Sequence, residues 1–258
     1  MPEDRALIVT GASSGIGRAL AFAAARESYR VVLVARRAER LSEVADEIRA
    51  EGGSVATVVA DVIAPEAPSK VVGSALQSFG RIDVLVNNAG AYAYGELLDQ
   101  SDASLEAQWQ LHVAAPIRFA RAALPHLATT RGQLVFLGSG VARVPLPNAG
   151  AYSMGKAAIR AAAIQLRREL RSRGIAVTYV DPGVVSSEFH SAQSIERPPG
   201  GTIPPERAAA AILRGMKRRA AVVTAAPWQT AFTILGEWGG AFADPVVTRA
   251  FTVRRVKE

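Results

Sequence analysis

Seven short apolar runs, most of them β-branched, alternate along this chain with segments patterned as helices. The runs are Leu7–Val9, Val31–Val34, Val55–Val59, Val84–Val86, Leu134–Leu137, Val177–Val180 and Ala221–Thr224. They lack clean polar alternation, which predicts strands covered on both faces. Helical patterns occupy Ile16–Glu27, Glu39–Ala50, Pro68–Phe79, Ser104–Leu127, Ala151–Arg173 and Pro205–Met216. This order predicts parallel βαβ units with right-handed crossovers. The expected fold is α/β: a doubly wound parallel sheet of about seven strands flanked by helices, as a single domain over residues 1–258. Its core spans about 6–224, and 225–258 form a C-terminal helical extension.

The first strand runs into Thr10-Gly11-Ala12-Ser13-Ser14-Gly15-Ile16-Gly17, and a helical pattern follows. A glycine-rich turn at a helix N-terminus offers unpaired N–H groups and the positive end of the helix dipole to a phosphate. Its glycines let a pyrophosphate approach the backbone. The spacing is G-x-x-x-G-x-G, a modest signal alone; its place after the first strand makes the sheet Rossmann-like and the domain dinucleotide-binding.

The second strand ends at Arg36-Arg37, and Arg36 stands 19 residues past Gly17. A dinucleotide fold reads the adenosine ribose there. A carboxylate would repel a 2′-phosphate, whereas arginine binds it, so NADP(H) is expected over NAD(H). The alternative is a surface arginine opening the next helix. Asp61-Val62 closes the third strand, where the aspartate can accept from the adenine amine or cap the next helix. Asn88, Ala89 and Gly90 close the fourth strand at the expected switch point, and their small size admits the cofactor.

Tyr152 and Lys156 open a helix one turn apart on the same side. A free phenol has a pKa of about 10. A neighbouring ammonium favours phenolate, so the pair can exchange a proton with a substrate oxygen while hydride moves at carbon. Ser139, 13 residues before Tyr152, ends the fifth strand and can hold the same oxygen. A bare Y-x-x-x-K is common; the ordered set of glycine turn, Asn-Asn-Ala-Gly, Ser, Tyr and Lys is not.

That ordered set resembles the short-chain dehydrogenase/reductase family from about Ala6 to Val223. The resemblance implies that Tyr152 is the general acid/base, that Ser139 orients and polarises the substrate, and that Lys156 binds the nicotinamide ribose and lowers the Tyr152 pKa. It also implies that the loop Pro182-Gly183-Val184-Val185-Ser186-Ser187 meets the nicotinamide carboxamide, with Ser187 where threonine is commoner. A homodimer or homotetramer is implied, paired through Ser104–Leu127 and Ala151–Arg173.

Two positions depart from the family pattern. His112 stands where an asparagine is usual, at a site whose carbonyl helps hold a proton-relay water. Either its ring joins the relay, or it is a histidine satisfied by a neighbouring backbone group. Gly138 stands where a serine often precedes the catalytic one, which is expected to widen the site slightly.

Three segments reach the carboxyl ends of the strands: 91–96, 143–148 and 188–204. Tyr92, Tyr94, Val144, Leu146 and Phe189 offer apolar walls, favouring a small, moderately apolar ketone, aldehyde or secondary alcohol. The aromatic tail Trp228–Phe251 can cap the site, a partner subunit or a lipid surface. The Pro- and Gly-rich run Arg197–Pro205 reads as a lid or edge loop.

Hydrophobic residues make up 49% and charged residues 21% of the chain, a globular balance. Cysteine is absent, which excludes disulfides and a cysteine nucleophile and agrees with a cytoplasmic setting. The N-terminus leads straight into the first strand with no apolar leader. His126 and His190 show no metal-like spacing, so no metal is expected. The net charge is +7, but the basic residues are scattered, as on a solvated surface. No nucleic-acid partner is expected, nor membrane association, since the uncharged stretch Ala220–Gly236 is broken by Pro227, Gln229 and threonines. The alternatives are a cofactor-binding sensor with weakened catalysis, resting on His112, or a nucleic-acid or membrane-surface binder, resting on charge alone.

Overall fold

The strands β1 (Ala6–Thr10), β2 (Arg30–Ala35), β3 (Val55–Val59), β4 (Val84–Asn87), β5 (Gln133–Leu137), β6 (Ala176–Asp181) and β7 (Val222–Thr224) match the predicted runs, each within a residue at either end. In the computed structural model, which describes residues 4–186 and 201–253, they form one sheet in the order β3-β2-β1-β4-β5-β6-β7, with every pairing parallel. The order reverses between β1 and β4, so a crevice opens there at the carboxyl ends of the strands.

Alternate side chains of each strand face opposite layers. Leu7, Val9, Val31 and Leu33 pack with α1 (Gly15–Arg26) and α2 (Ala38–Ala50) on one side. Ile8, Val32, Val34 and Phe136 pack with α3 (Ala67–Phe79) on the other. Both layers are dry, which is why the strands read as continuous apolar runs.

The predicted helix Ser104–Leu127 divides. It starts earlier, as α4 (Asp102–Trp109), passes through a π turn at Gln110–Ala114, and resumes as α5 (Ala115–Thr130). Pro116 supplies the reason. A proline ring inside a helix collides with the carbonyl four residues back, here that of His112, and the wider turn relieves the collision. The predicted helix Ala151–Arg173 becomes α6 (Gly150–Glu169) followed by a 3-10 turn that ends at left-handed Gly174. Among the described residues three more helices follow: α7 (Pro205–Lys217), α8 (Pro227–Gly239) and α9 (Asp244–Phe251). The last two lie in the C-terminal segment after β7. Among the described residues no helix is long and apolar enough to cross a membrane.

Candidate active site

A cavity of about 1130 Å³ runs along the carboxyl edge of the sheet, from the glycine turn to Ser139 and Tyr152. At its first end, Thr10 locks the crevice. Its Oγ1 donates to the Val86 carbonyl at 3.2 Å and accepts from the N–H groups of Asn88 and Ala89 at 3.0 and 3.1 Å. The Asn88 amide donates back to the Thr10 and Gly11 carbonyls. Gly11 is left-handed (φ 67°), and a Cβ there would lie 2.9 Å from the Ala89 Cα. Gly11, Ser13, Ser14, Gly15 and Ile16 line the cavity. Gly17 does not; a Cβ on it would strike the Gly11 carbonyl at 2.3 Å, so it serves the packing of the turn. Ser14 makes no side-chain cap bond at the start of α1, which leaves first-turn N–H groups for an anion.

Arg37 donates to Ser13 Oγ (3.1 and 3.3 Å) and to Ser14 Oγ (2.9 Å). Arg36 is largely exposed, with its guanidinium 3.6 Å from the Asp61 carboxylate. Both arginines, Asp61 and Val62 line the same end of the cavity. Asp61 closes a local turn by accepting from the Ile63 N–H, and Glu66 rather than Asp61 precedes α3. A glycine cradle beside two serine hydroxyls and two guanidinium groups fits the phosphates of a dinucleotide.

At the other end, Ser139 leaves β5 and Tyr152 stands in the first turn of α6. Both line the cavity, close enough for the Ser139 hydroxyl to pull on the phenol. Lys156, buried one turn on, donates to the Leu137 carbonyl at 2.8 Å and holds its ammonium 5.7 Å from the Tyr152 ring centre. Burial pushes the Tyr152 phenol well above its usual value, against a downward pull from Ser139. Burial also pushes Lys156 down to about 8. Desolvation of the ring sets the direction of the phenol's shift.

His112 comes from the π turn and is almost wholly buried. Its Nε2 lies 2.8 Å from the Ala91 carbonyl, and its ring meets Tyr152 edge-on at 5.2 Å. Two glycines make room for it. A Cβ on Gly155 would lie 2.9 Å from the His112 Cβ, and one on Gly90 would lie 3.1 Å from its Cε1. Burial, with the Lys156 charge, pushes its pKa down to about 3. The ring is therefore neutral, with its proton on Nε2 directed at Ala91, and Nδ1 has no hydrogen-bond partner among the described residues. His112 does not line the cavity.

Gly138 does not widen the site. A Cβ there would lie 2.1 Å from the Tyr179 hydroxyl, so the space is taken by that ring from β6. The Tyr179 hydroxyl donates to the Ser139 carbonyl and accepts from the Ser139 N–H, each at 3.3 Å, which clamps the serine's backbone.

Asn88, Ala89, Gly90, Pro182, Gly183 and Val185 line the cavity, as do Tyr92, Val144 and Leu146. Tyr94 does not; it packs against the cluster of Tyr92, Ala149 and Tyr152. Ser187, Phe189 and His190 lie outside the described residues. Sequence reasoning did not assign Trp228, Phe232, Val247, Phe251 and Val253 to the site, yet all five line the cavity. The signal was the aromatic tail, whose destination a pattern cannot give.

A family profile described as short chain dehydrogenase matches residues 5–197. A short chain dehydrogenase of Pseudocercospora fijiensis is 37% identical over 191 residues, covering 72% of this chain and 62% of that protein. An 11-beta-hydroxysteroid dehydrogenase-like protein of Arabidopsis thaliana is 34% identical over 231 residues, covering 87% of this chain and 74% of that one. The match thus spans under two thirds of the fungal relative's length. An alcohol dehydrogenase of the archaeon Thermococcus sibiricus, solved with 5-hydroxy-NADP, superposes with a TM-score of 0.79 at 28% identity, covering 85% of this chain and 95% of that one. Other solved proteins of this fold carry NADPH or NAD. Strand order, glycine turn and profile define a Rossmann-type dinucleotide fold of the short-chain dehydrogenase kind. The chain belongs to the short-chain dehydrogenase/reductase family.

Proposed function

We propose that this chain is an NADP(H)-dependent oxidoreductase of an apolar ketone, aldehyde or secondary alcohol, with Tyr152 as general acid/base. The observation that carries the reading is the placement of Ser139 and Tyr152 together on the cavity wall, with Lys156 one turn further along the same helix. The turn from Gly11 to Gly17, Asp61-Val62, Asn88–Gly90 and Pro182–Val185 would hold the cofactor. Arg36 and Arg37 would take a 2′-phosphate, and the NADP analogue on the Thermococcus enzyme supports that preference. When bound, the nicotinamide supplies or accepts the hydride.

The chain's own residues handle the oxygen. Ser139 Oγ and Tyr152 Oη bind one substrate oxygen from adjacent positions. Burial keeps the phenol protonated at neutral pH, so in the direction of reduction its Oη gives a proton to the carbonyl oxygen. Lys156, buried nearby and mostly protonated at pH 7, offsets the negative charge left on the phenolate. His112, neutral and tied to Ala91, positions the Tyr152 ring and does not exchange protons. The sensor alternative has no observation in its favour. A homodimer or homotetramer joined through α4–α5 and α6 belongs to the same proposal, and sedimentation velocity would measure it.

The test is NADPH absorbance over a panel of ketones and aldehydes. Turnover on apolar carbonyls is expected. Tight NADPH binding without turnover on any of them would make the chain a cofactor-binding sensor instead.

A further inference from the structure

We infer that α8 is a lid held shut by Glu237, and that the chamber it closes selects a bulky apolar carbonyl compound; this deepens the oxidoreductase reading and rests on it. Glu237 accepts from Arg143 at 2.7 Å and from Arg160 at 3.0 Å. All three are substantially sheltered, with side-chain exposures of 33%, 17% and 25%. The two arginines pull the carboxyl below its usual range against an opposing effect of burial. Their positions matter more than their strength. Arg143 lies in the loop just after Ser139, and Arg160 lies on α6 one turn beyond Lys156. One carboxylate therefore fastens α8 to both elements that carry the reacting groups.

Close packing brings the helix there. A Cβ on Gly236 would lie 2.9 Å from Val144, and one on Gly140 would lie 3.0 Å from the Thr233 methyl. The first turn of α8 is anchored separately. Thr230 donates to the buried Asp181 carboxylate at 3.0 Å. Gln229 accepts from the Val184 N–H at 2.7 Å and donates to the Gly201 carbonyl at 3.1 Å. The far end of the arm is tied by Val253, whose N–H donates to the Pro147 carbonyl and whose carbonyl accepts from the Asn148 amide. Between these anchors the C-terminal half of α8 depends on Glu237.

The inner face of the arm is apolar. Phe232 and Phe251 form a ring pair at 4.9 Å, Trp228 and Val247 line the cavity with them, and Tyr92, Val141, Val144 and Leu146 add further apolar wall. Among the described residues Arg249 is the one charged side chain the arm brings to the cavity, and it is exposed. A cavity of about 1130 Å³ exceeds the common ligand range of roughly 300–1,000 Å³. It would take a dinucleotide and leave an apolar compartment beside Ser139 and Tyr152. A ketone or secondary alcohol on a fused-ring or long-chain body fills that compartment; a polyol or a charged acid does not.

Glu237→Gln removes the charge and leaves two sheltered guanidinium groups facing each other. Amide hydrogen exchange across 227–239 is expected to quicken about tenfold, and the ratio of kcat/KM for decalone over cyclohexanone to fall about tenfold, the lower range for losing a pocket contact. Glu237→Asp should restore part of both. Raised salt should quicken the same exchange in the wild-type chain, a measurement independent of the variants' folding. Exchange in Glu237→Gln and in high salt equal to wild type overturns the latch. Faster exchange with an unchanged substrate ratio overturns the specificity. Wild-type protein that reduces no ketone sinks the oxidoreductase reading, while the exchange result still decides the latch.

Discussion

At Gly138 the main chain passes so close to Tyr179 that a hydrogen is the only substituent that fits. Gly138→Ser should therefore destabilise the chain by roughly 1–3 kcal/mol, the usual range for overpacking. Urea denaturation would show a lower midpoint at unchanged slope; an unchanged midpoint would mean that the ring yields freely. The same substitution should loosen the clamp on Ser139 and lower kcat. Arg36 and Arg37 act at the other end of the cavity. Replacing both with alanine should raise KM for NADPH at least about tenfold, in line with the loss of charge-assisted bonds, and leave KM for NADH nearly unchanged. Equal changes for both cofactors would refute the phosphate-reading role. Arg36, the glycine turn, Ser139, Tyr152 and Lys156 were all legible because each sits at a strand end or helix start that the pattern locates. Tyr94 was misplaced, because a loop's composition does not tell which of its rings faces inward.

At the level of elements, strand boundaries were legible to a residue, since dry β-branched runs end where the backbone turns. The break in the helix after β4 was not. A π turn differs from an α-helix by one residue in five, too little to disturb an apolar pattern, and only Pro116 marked it. That turn delivers His112, whose burial gives a pH prediction. Its pKa is about 6.5 in the unfolded chain and about 3 in the native one. Between those values the unfolded chain takes up a proton that the native ring refuses. The contribution is complete above pH 6.5 and is lost as pH falls toward 3. His112→Asn should flatten the pH dependence of stability in that window and leave the pH–rate profile unchanged. A shifted rate profile would restore the ring to the proton path.

At the scale of the whole molecule, one sheet carries two unlike ends of a single cavity, a polar anion cradle at the β1–β4 switch point and an aromatic compartment beyond β5. The sheet and the cradle follow from local patterns. The compartment depends on residues from 228 to 253 folding back over Ser139, a long-range event that no short-range signal encodes. The account as a whole stands on Tyr152 giving its proton to a substrate oxygen held jointly with Ser139. The most direct measurement is NADPH oxidation by Tyr152→Phe beside wild type on the same ketone, with NADPH affinity measured in parallel. The variant should bind NADPH as tightly as wild type and lose about 100- to 10,000-fold in kcat, the range for removing a general acid. A kcat within a few-fold of wild type would contradict it.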